Sequence, residues 1–387
     1  MTTGVCKRPL AACLLTSLLL AGVLLMSACT GGEPVGETPV ALTVTVEATP
    51  EPTTPAPTAT ATPTPTSTPT PTITPTPTRA DNISPLTGLE ADPALLHRRV
   101  IAFRVGNDPA IRPQEGLGAA DVVIEEMTEG HVTTRFTALF LESEAERVRP
   151  LRSARLTTLE IAPQYGAAMV HTGASDGVRW RLSQTTIVNL DQWFHPAPYG
   201  VAPGYDYRGR MYSSTERVRT YLEDKGLERT DLIEGYVFDP EPPRGESALD
   251  IHIPYPSASV DWNYDPETGL YLRKVSNRPH VDALTNEQIT AANIVLFYTE
   301  HIVTDIIEDS NGARALDIVM HGEGPAVVIR DGVRVEGQWR RLAEDEVILY
   351  WDENDEVIPF KPGKTWIELM PLDHEVTIDE PEADAEE

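Results

Sequence analysis

Apolar positions fall along this chain in three different regimes. From Leu10 to Met26 they run almost without interruption, and from Thr49 to Thr78 they nearly vanish into Thr and Pro with a little Ala. Beyond Asn82 they return as short runs broken by polar turns, the pattern of a packed domain. Arg99 to Val105, Asp121 to Glu126 and Thr133 to Leu141 predict three strands, and Glu129-Gly130 supplies a turn that makes the last two a hairpin. Ala154 to Ala162 predicts a helix with Ser153 as its N-cap. Ala167 to Val170 is a short buried strand, and the loop His171-Thr-Gly-Ala-Ser175 leads into helix-compatible residues up to Leu182. Thr215 to Lys225 predicts another helix.

Past the Pro-rich stretch Asp239 to Gly245 the pattern changes to strands with hairpin signals. These fall at Asp265-Pro-Glu-Thr-Gly269, Asn311-Gly312, Asp331-Gly332 and Glu353-Asn354-Asp355, with one or two helical turns around Glu287 to Ala292. The expected fold is α/β (α+β): a mixed-sheet N-terminal domain with helices over residues 81–240, then a β-rich C-terminal domain over residues 245–372. An acidic tail over residues 373–387 is predicted to be disordered.

The apolar run changes meaning once its flanks are considered. Lys7 and Arg8 precede it and Ser27-Ala28-Cys29 follows, the order of a secretory signal over residues 1–29. A cysteine directly after small residues resembles a bacterial lipobox and implies lipidation of Cys29, although Met26 stands where Leu or Val is usual. The alternative is an uncleaved anchor, since the run approaches spanning length. Either way the expected location is the extracytoplasmic face of a membrane. Residues 30–80 form the Thr/Pro-rich spacer, whose Thr/Pro core would reach about 90 Å as extended polyproline II at about 3.1 Å per residue. Cys6 and Cys13 lie in the leader, so no disulfide framework or thiol nucleophile is expected in the body. A formal net charge of −28 argues against nucleic acid, whose phosphates demand a basic face.

Segments of the body, taken in order, resemble the YerB-like lipoproteins, a family defined by a domain of unknown function. They are Ser84-Pro-Leu-Thr-Gly88, Arg112-Pro-Gln-Glu-Gly-Leu117, Ala120-Asp-Val-Val-Ile-Glu-Glu126, Thr134-Arg-Phe136, Arg149-Pro-Leu-Arg-Ser-Ala-Arg155 and His171-Thr-Gly-Ala-Ser175. The later part adds Tyr264-Asp265, Tyr271-Leu-Arg273, His280-Val-Asp282, Ala292-Asn293, Gly337-Gln-Trp339 and Pro362-Gly-Lys-Thr-Trp-Ile367. The resemblance implies a two-part α/β envelope lipoprotein without an assigned reaction. One departure is Arg208-Gly-Arg-Met-Tyr212, where the family often carries Pro-His-Asn before the Tyr.

Arg147, Arg149, Arg152 and Arg155 form the densest candidate site in an acidic chain. Placed at a helix start beside Ser153, their guanidinium forks suit a carboxylate or phosphate. The structural alternative is an ion-pair network with Glu125, Glu126, Glu129 and Glu160. His171, Gly173 and Ser175 lie in a strand-to-helix loop, where α/β proteins place ligand contacts. Their sequence is not the G-x-S-x-G elbow of a Ser nucleophile, so they are assigned to the same ligand-binding set. Glu126 and Glu129 are the paired carboxylates a glycan hydrolase would need. His280 and Asp282, two apart on a strand, are taken as a hydrogen-bonding pair, since no third metal ligand is near. Trp262, Trp339, Trp351 and Trp366 are assigned to the core rather than to a sugar platform. No metal and no cofactor is expected. The leading expectation is a non-catalytic envelope protein, held to the membrane by its N-terminal lipid, that binds an anionic wall component or a partner protein. The alternative is a hydrolase of envelope polymer.

Overall fold

A computed structural model describes residues 79–379. The leader, Cys29, the spacer as far as Thr78 and residues 380–387 lie outside the described residues.

After a short helix α1 (Pro93–Leu96), strands β1 (Ile101–Gly106), β2 (Val122–Met127) and β3 (Thr134–Phe140) are buried along their whole lengths. Both faces of this part of the sheet are covered, which suits near-continuous apolar runs rather than strict alternation. There follow α2 (Thr157–Gln164), β4 (Ala168–His171), α3 (Asp176–Leu182) and β5 (Val188–Asp191). A small hairpin of β6 (Gly200–Val201) and β7 (Met211–Tyr212) precedes α4 (Thr215–Asp224), which Ser214 caps by accepting from Arg217 N at 3.1 Å.

The second half is all strand among the described residues. Its first group is β8 (Glu246–Ser247), β9 (Asp250–Tyr255), β10 (Ala258–Asp265), β11 (Leu270–Val275), β12 (Arg278–Pro279) and β13 (Thr290–Ala291). Its second is β14 (Asn293–Thr299), β15 (His301–Ile307), β16 (Arg314–Ile318), β17 (Gly322–Arg330), β18 (Val333–Arg341), β19 (Leu349–Trp351), β20 (Thr365–Pro371) and β21 (Thr377–Ile378).

One sheet carries the order β19-β18-β17-β14-β20-β2-β3-β1-β4-β5. Its pairings make β14, β20, β2, β1, β4 and β5 run in one direction, with β3 and β17 opposed. A second sheet, β12-β11-β10-β9-β21, packs against it, and β15–β16 form a separate two-stranded hairpin. The composition change at 239–245 therefore does not separate two sheets. β2 from the first half pairs in parallel with β20 from the second, Glu125 beside Glu368.

Three expectations need correction. The helix predicted from Ala154 begins only at Thr157, because Arg152 N and Ala154 N are used by the carbonyls of Arg104 and Gly173. Ser153 is consequently not its cap. No helix forms at Glu287 to Ala292; Thr290 and Ala291 pair with β11 instead. The tail predicted disordered from Asp373 is ordered as far as Asp379, since Thr377 and Ile378 pair with β9 and the Asp379 carboxylate accepts from Leu249 N and Asp250 N.

The seam between β2 and β20 buries charge. Arg273 Nη2 lies 2.6 Å from Glu125 Oε2, with both side chains fully buried. Three rings wall the guanidinium: Trp366 at 4.6 Å, and Phe136 and Trp262 at 5.6 Å. Arg273 also donates to His280 Nδ1 at 2.6 Å, which leaves His280 Nε2–H to donate to Gln114 Oε1 at 2.7 Å. Glu368 meets Tyr255 Oη at 2.7 Å and Trp262 Nε1 at 3.2 Å.

Burial, and then the neighbouring Glu125 carboxylate, push Glu368 up to about 8. An unfolded glutamate titrates near about 4.3. Between those values the folded chain holds a proton that the unfolded chain has lost, so stability falls as pH rises, by about 1.4 kcal/mol per pH unit. Asp121, pushed up to about 7 by burial and by Glu142, adds a slope of the same sign. Glu368→Gln should flatten the decline of the urea midpoint between pH 5 and 8, and equal slopes in variant and parent would refute the assignment.

Candidate functional site

The parallel strands β1, β4 and β5 end side by side, and their C-terminal ends are the position at which open α/β sheets place ligands. The predicted arginine cluster lies across these ends. Most of it is already engaged.

Arg149 is buried, with Nη2 2.9 Å from Glu115 Oε1 and Nη1 donating to the Gly209 carbonyl at 2.8 Å. Arg147 reaches the same carboxylate at 3.3 Å. Arg155 forks onto Glu129, with Nε at 2.6 Å from Oε2, and has Glu308 at 3.4 Å on its other side. Arg104 holds both oxygens of Glu126, and Thr157 Oγ1 donates to the same carboxylate at 2.6 Å. Arg135, opposite Glu126 in the ladder, donates to the Ser153 carbonyl at 3.1 Å and lies 3.8 Å from Glu129.

Arg152 is the exception. Its guanidinium makes no ion pair or hydrogen bond among the described residues. The side chain is half-buried, and its stem lies over Gly106, where an added Cβ would come within 2.6 Å of Arg152 Cγ. Burial and then the adjacent Arg155 charge lower its pKa, against the opposing charges of Asp108, Glu129 and Tyr207. Of the predicted ligand-binding arginines, the structure leaves Arg152 available and assigns Arg149 and Arg155 to internal pairs. Glu129, the main partner of Arg155, was among the acids the sequence offered, whereas Glu115 and Glu308 were not.

The remaining candidates are structural. Ser153 donates to the Thr172 carbonyl at 3.3 Å. His171 is fully buried, with Nδ1 2.8 Å from the Gly173 carbonyl and Nε2 on the Asn189 side-chain amide. Burial lowers its pKa, against the hydrogen bond to Asn189 and the charge of Asp191. Gly173 takes φ +84°, the left-handed region, and a Cβ there would meet Arg179 Nη2 at 3.2 Å. Ser175 caps α3 by accepting from Val178 N at 3.4 Å. Among the described residues no hydrogen bond joins His171 to Ser175; each is engaged by its own loop or helix.

The hydrolase geometry fails as well. Both oxygens of Glu126 are held in a fully buried pair with Arg104. Burial pushes Glu129 up, but the Arg155 hydrogen bond and the Arg135 and Arg155 charges outweigh it and hold its carboxyl at about 2. A general acid must keep its proton near working pH. Glu129 cannot. In the second half, Asp282 accepts from Gly116 N at 3.0 Å and Gly118 N at 2.8 Å, while Trp262, Trp339 and Trp366 are in the core. Among the described residues no three metal-ligating side chains converge.

Pattern reading missed the exposed aromatics of the first half, of which Tyr207 acts on the Arg152 charge. Trp193 and Phe194 follow β5 with 75% and 66% of their surface exposed, and Tyr207 in the β6–β7 loop is 73% exposed. Tyr205 in the same loop stacks under Arg149, 3.7 Å from its guanidinium carbon. Arg179, paired with Asp191 at 3.1 Å, lies 5.9 Å from the Phe194 ring. Large aromatics between Pro and Gly in a segment without periodicity were the available signal.

Two family models match the chain. The "Protein of unknown function (DUF3048) N-terminal domain" covers residues 86–228, and the corresponding C-terminal domain covers residues 251–367. The "Putative lipoprotein YerB" of Bacillus subtilis (strain 168) is 29% identical over 300 residues, 74% of this chain and 86% of that protein. The crystal structure of the YerB protein from Bacillus subtilis matches with a TM-score of 0.68 at 28% identity, over 76% of this chain and 99% of that one.

Truncation separates the engaged arginines from the free one. Arg155→Ala leaves Glu308 without its cation and Glu129 with only Arg135 at 3.8 Å, and should lower stability by about 3–5 kcal/mol. Arg152→Ala should stay within about 1 kcal/mol of the parent in urea unfolding. Comparable losses in the two variants would overturn the distinction.

Proposed function

The chain belongs to the DUF3048 family, to which the YerB lipoproteins belong, and from that membership we propose that it is a non-catalytic, lipid-anchored protein of the extracytoplasmic envelope that captures an anionic wall polymer through Arg152. Arg152 carries this reading: a half-buried guanidinium at the C-terminal strand ends with no ion pair among the described residues, beside Arg104, Arg149 and Arg155, which are paired. The fork offers bidentate donation to a carboxylate or a phosphate diester. Tyr207, Trp193 and Phe194 add exposed ring faces on which sugar or polyol units stack.

The tether supports the same reading. Lipidation at Cys29 and the Thr/Pro spacer over residues 30–80 would hold the body away from the membrane, within reach of wall polymer. No helix among the described residues is long and apolar enough to cross a membrane, so anchoring falls to the leader or its lipid.

The test uses the full chain with fluorescein-labelled poly(glycerol phosphate) and labelled polygalacturonate, which separate phosphate from carboxylate recognition. Arg152→Glu should weaken binding of the preferred polymer at least about tenfold, or about 1.4 kcal/mol, with folding unchanged. Tyr207→Ala should weaken it by less. Retained affinity in Arg152→Glu overturns the site, and failure of the parent to bind either polymer overturns the polymer reading and leaves the same surface to a protein partner.

A further inference from the structure

Glu308 is an unusual partner for Arg155. It closes β15 on the hairpin that stands apart from both sheets, and its side chain is fully buried. Yet neither carboxylate oxygen accepts a hydrogen bond among the described residues. Its polar neighbours are Arg155, at 3.4 Å on the side that Glu129 does not occupy, and the Ser175 side chain. A buried carboxylate without hydrogen bonds is held in place at a cost rather than with a gain. The hairpin's packing keeps it there: Ile306 lies against Gly177 of α3, beside a small cluster of Ala154, Leu156, Val178, Leu182 and Ala315. That cluster is separate from the main core.

The geometry points to a second anion subsite on Arg155, next to Arg152 and at present filled by the chain's own Glu308, which an incoming anionic group takes over when the β15–β16 hairpin withdraws. This rests on the Arg152 reading and gives it a regulation. Arg104, Arg135, Arg152 and Arg155 face Glu126, Glu129 and Glu308. Withdrawal of Glu308 therefore leaves two guanidinium charges to the ligand instead of one. The carboxylate stands where a polymer's next acidic group would sit.

The hairpin can be locked where it packs. An added Cβ on Gly177 falls 3.4 Å from Ile306 Cβ, near the separation a disulfide spans. In the full chain carrying Cys6→Ser, Cys13→Ser and Cys29→Ser, the pair Gly177→Cys and Ile306→Cys should form this bridge on oxidation. With the polymer that the parent binds, Glu308→Gln should tighten affinity about three- to tenfold. The bridged form should bind at least about threefold more weakly than its reduced form. Equal affinity of Glu308→Gln and the parent, together with equal affinity of bridged and reduced forms, overturns the subsite while leaving Arg152 untouched. If the parent binds neither polymer, hydrogen exchange still decides the hairpin's part. Amides of β15–β16 should exchange more slowly in the bridged form than in the reduced form without any polymer, and equal rates show that the hairpin does not open on its own.

Discussion

Of the ion pairs that join the two halves of the chain among the described residues, Arg273 with Glu125 is the one buried completely on both sides. Neither charge has access to water, so each would be strongly destabilising without the other. Their network continues toward the surface. Asn107 donates to Glu125 at 3.2 Å and to Thr134 at 2.7 Å, and Arg112 Nε donates back to Asn107 at 2.8 Å. Gln114, which accepts from His280, donates to the Gly106 carbonyl at 2.9 Å. Gly106 is the residue over which the Arg152 stem lies. The second half of the chain therefore fixes the floor of a site whose side chains all come from the first half. This gives a physical reason for two segments that share one sheet to occur together.

The arginines illustrate how an acidic protein uses scarce cations. In a chain with net charge −28, Arg104, Arg273, Arg330 and Arg341 are among the largest fully buried side chains. Burial of a guanidinium is tolerable where carboxylates and carbonyls occupy its donors, as Glu160, Met320 and Glu344 do for Arg341. Such groups specify packing more than they add stability. Against that pattern, a half-buried arginine with none of these partners stands out more clearly than it would on a basic surface.

The pattern of apolar residues located the strands of the first half and the turns of the second, because period and turn chemistry are local. Strand alternation puts Glu125 and Glu126 on opposite faces of β2, and the structure sends one to Arg273 and the other to Arg104. What it could not supply were pairings across long separations. β2 lies next to β20 through residues more than two hundred positions apart, and the apparent domain boundary conceals this. The same distance hid Glu308 from Arg155 and Asp282 from Gly116 and Gly118. The helix was drawn too early because Ser153 looks like a cap in isolation, while its neighbours' amides were committed to β1 and to the loop after β4. Arg152 was named for the wrong reason. No helix dipole acts on it, and its availability comes from the engagement of everything around it.

The net charge does not oppose anion capture at this position. At physiological ionic strength charges farther than about 8 Å are largely screened, so the local set decides. In that set Asp191 is paired with Arg179, Asp206 with Arg208 and Glu129 with Arg155. Asp108 is turned to its own backbone, accepting from Ala110 N at 2.9 Å. Of these acids only Asp108 lacks an ion pair, and it is the carboxylate that acts first on Arg152, so an incoming anion competes chiefly with Asp108. A polyanion approaching the acid-rich remainder of the surface is repelled, which turns the surplus of acid into a source of specificity.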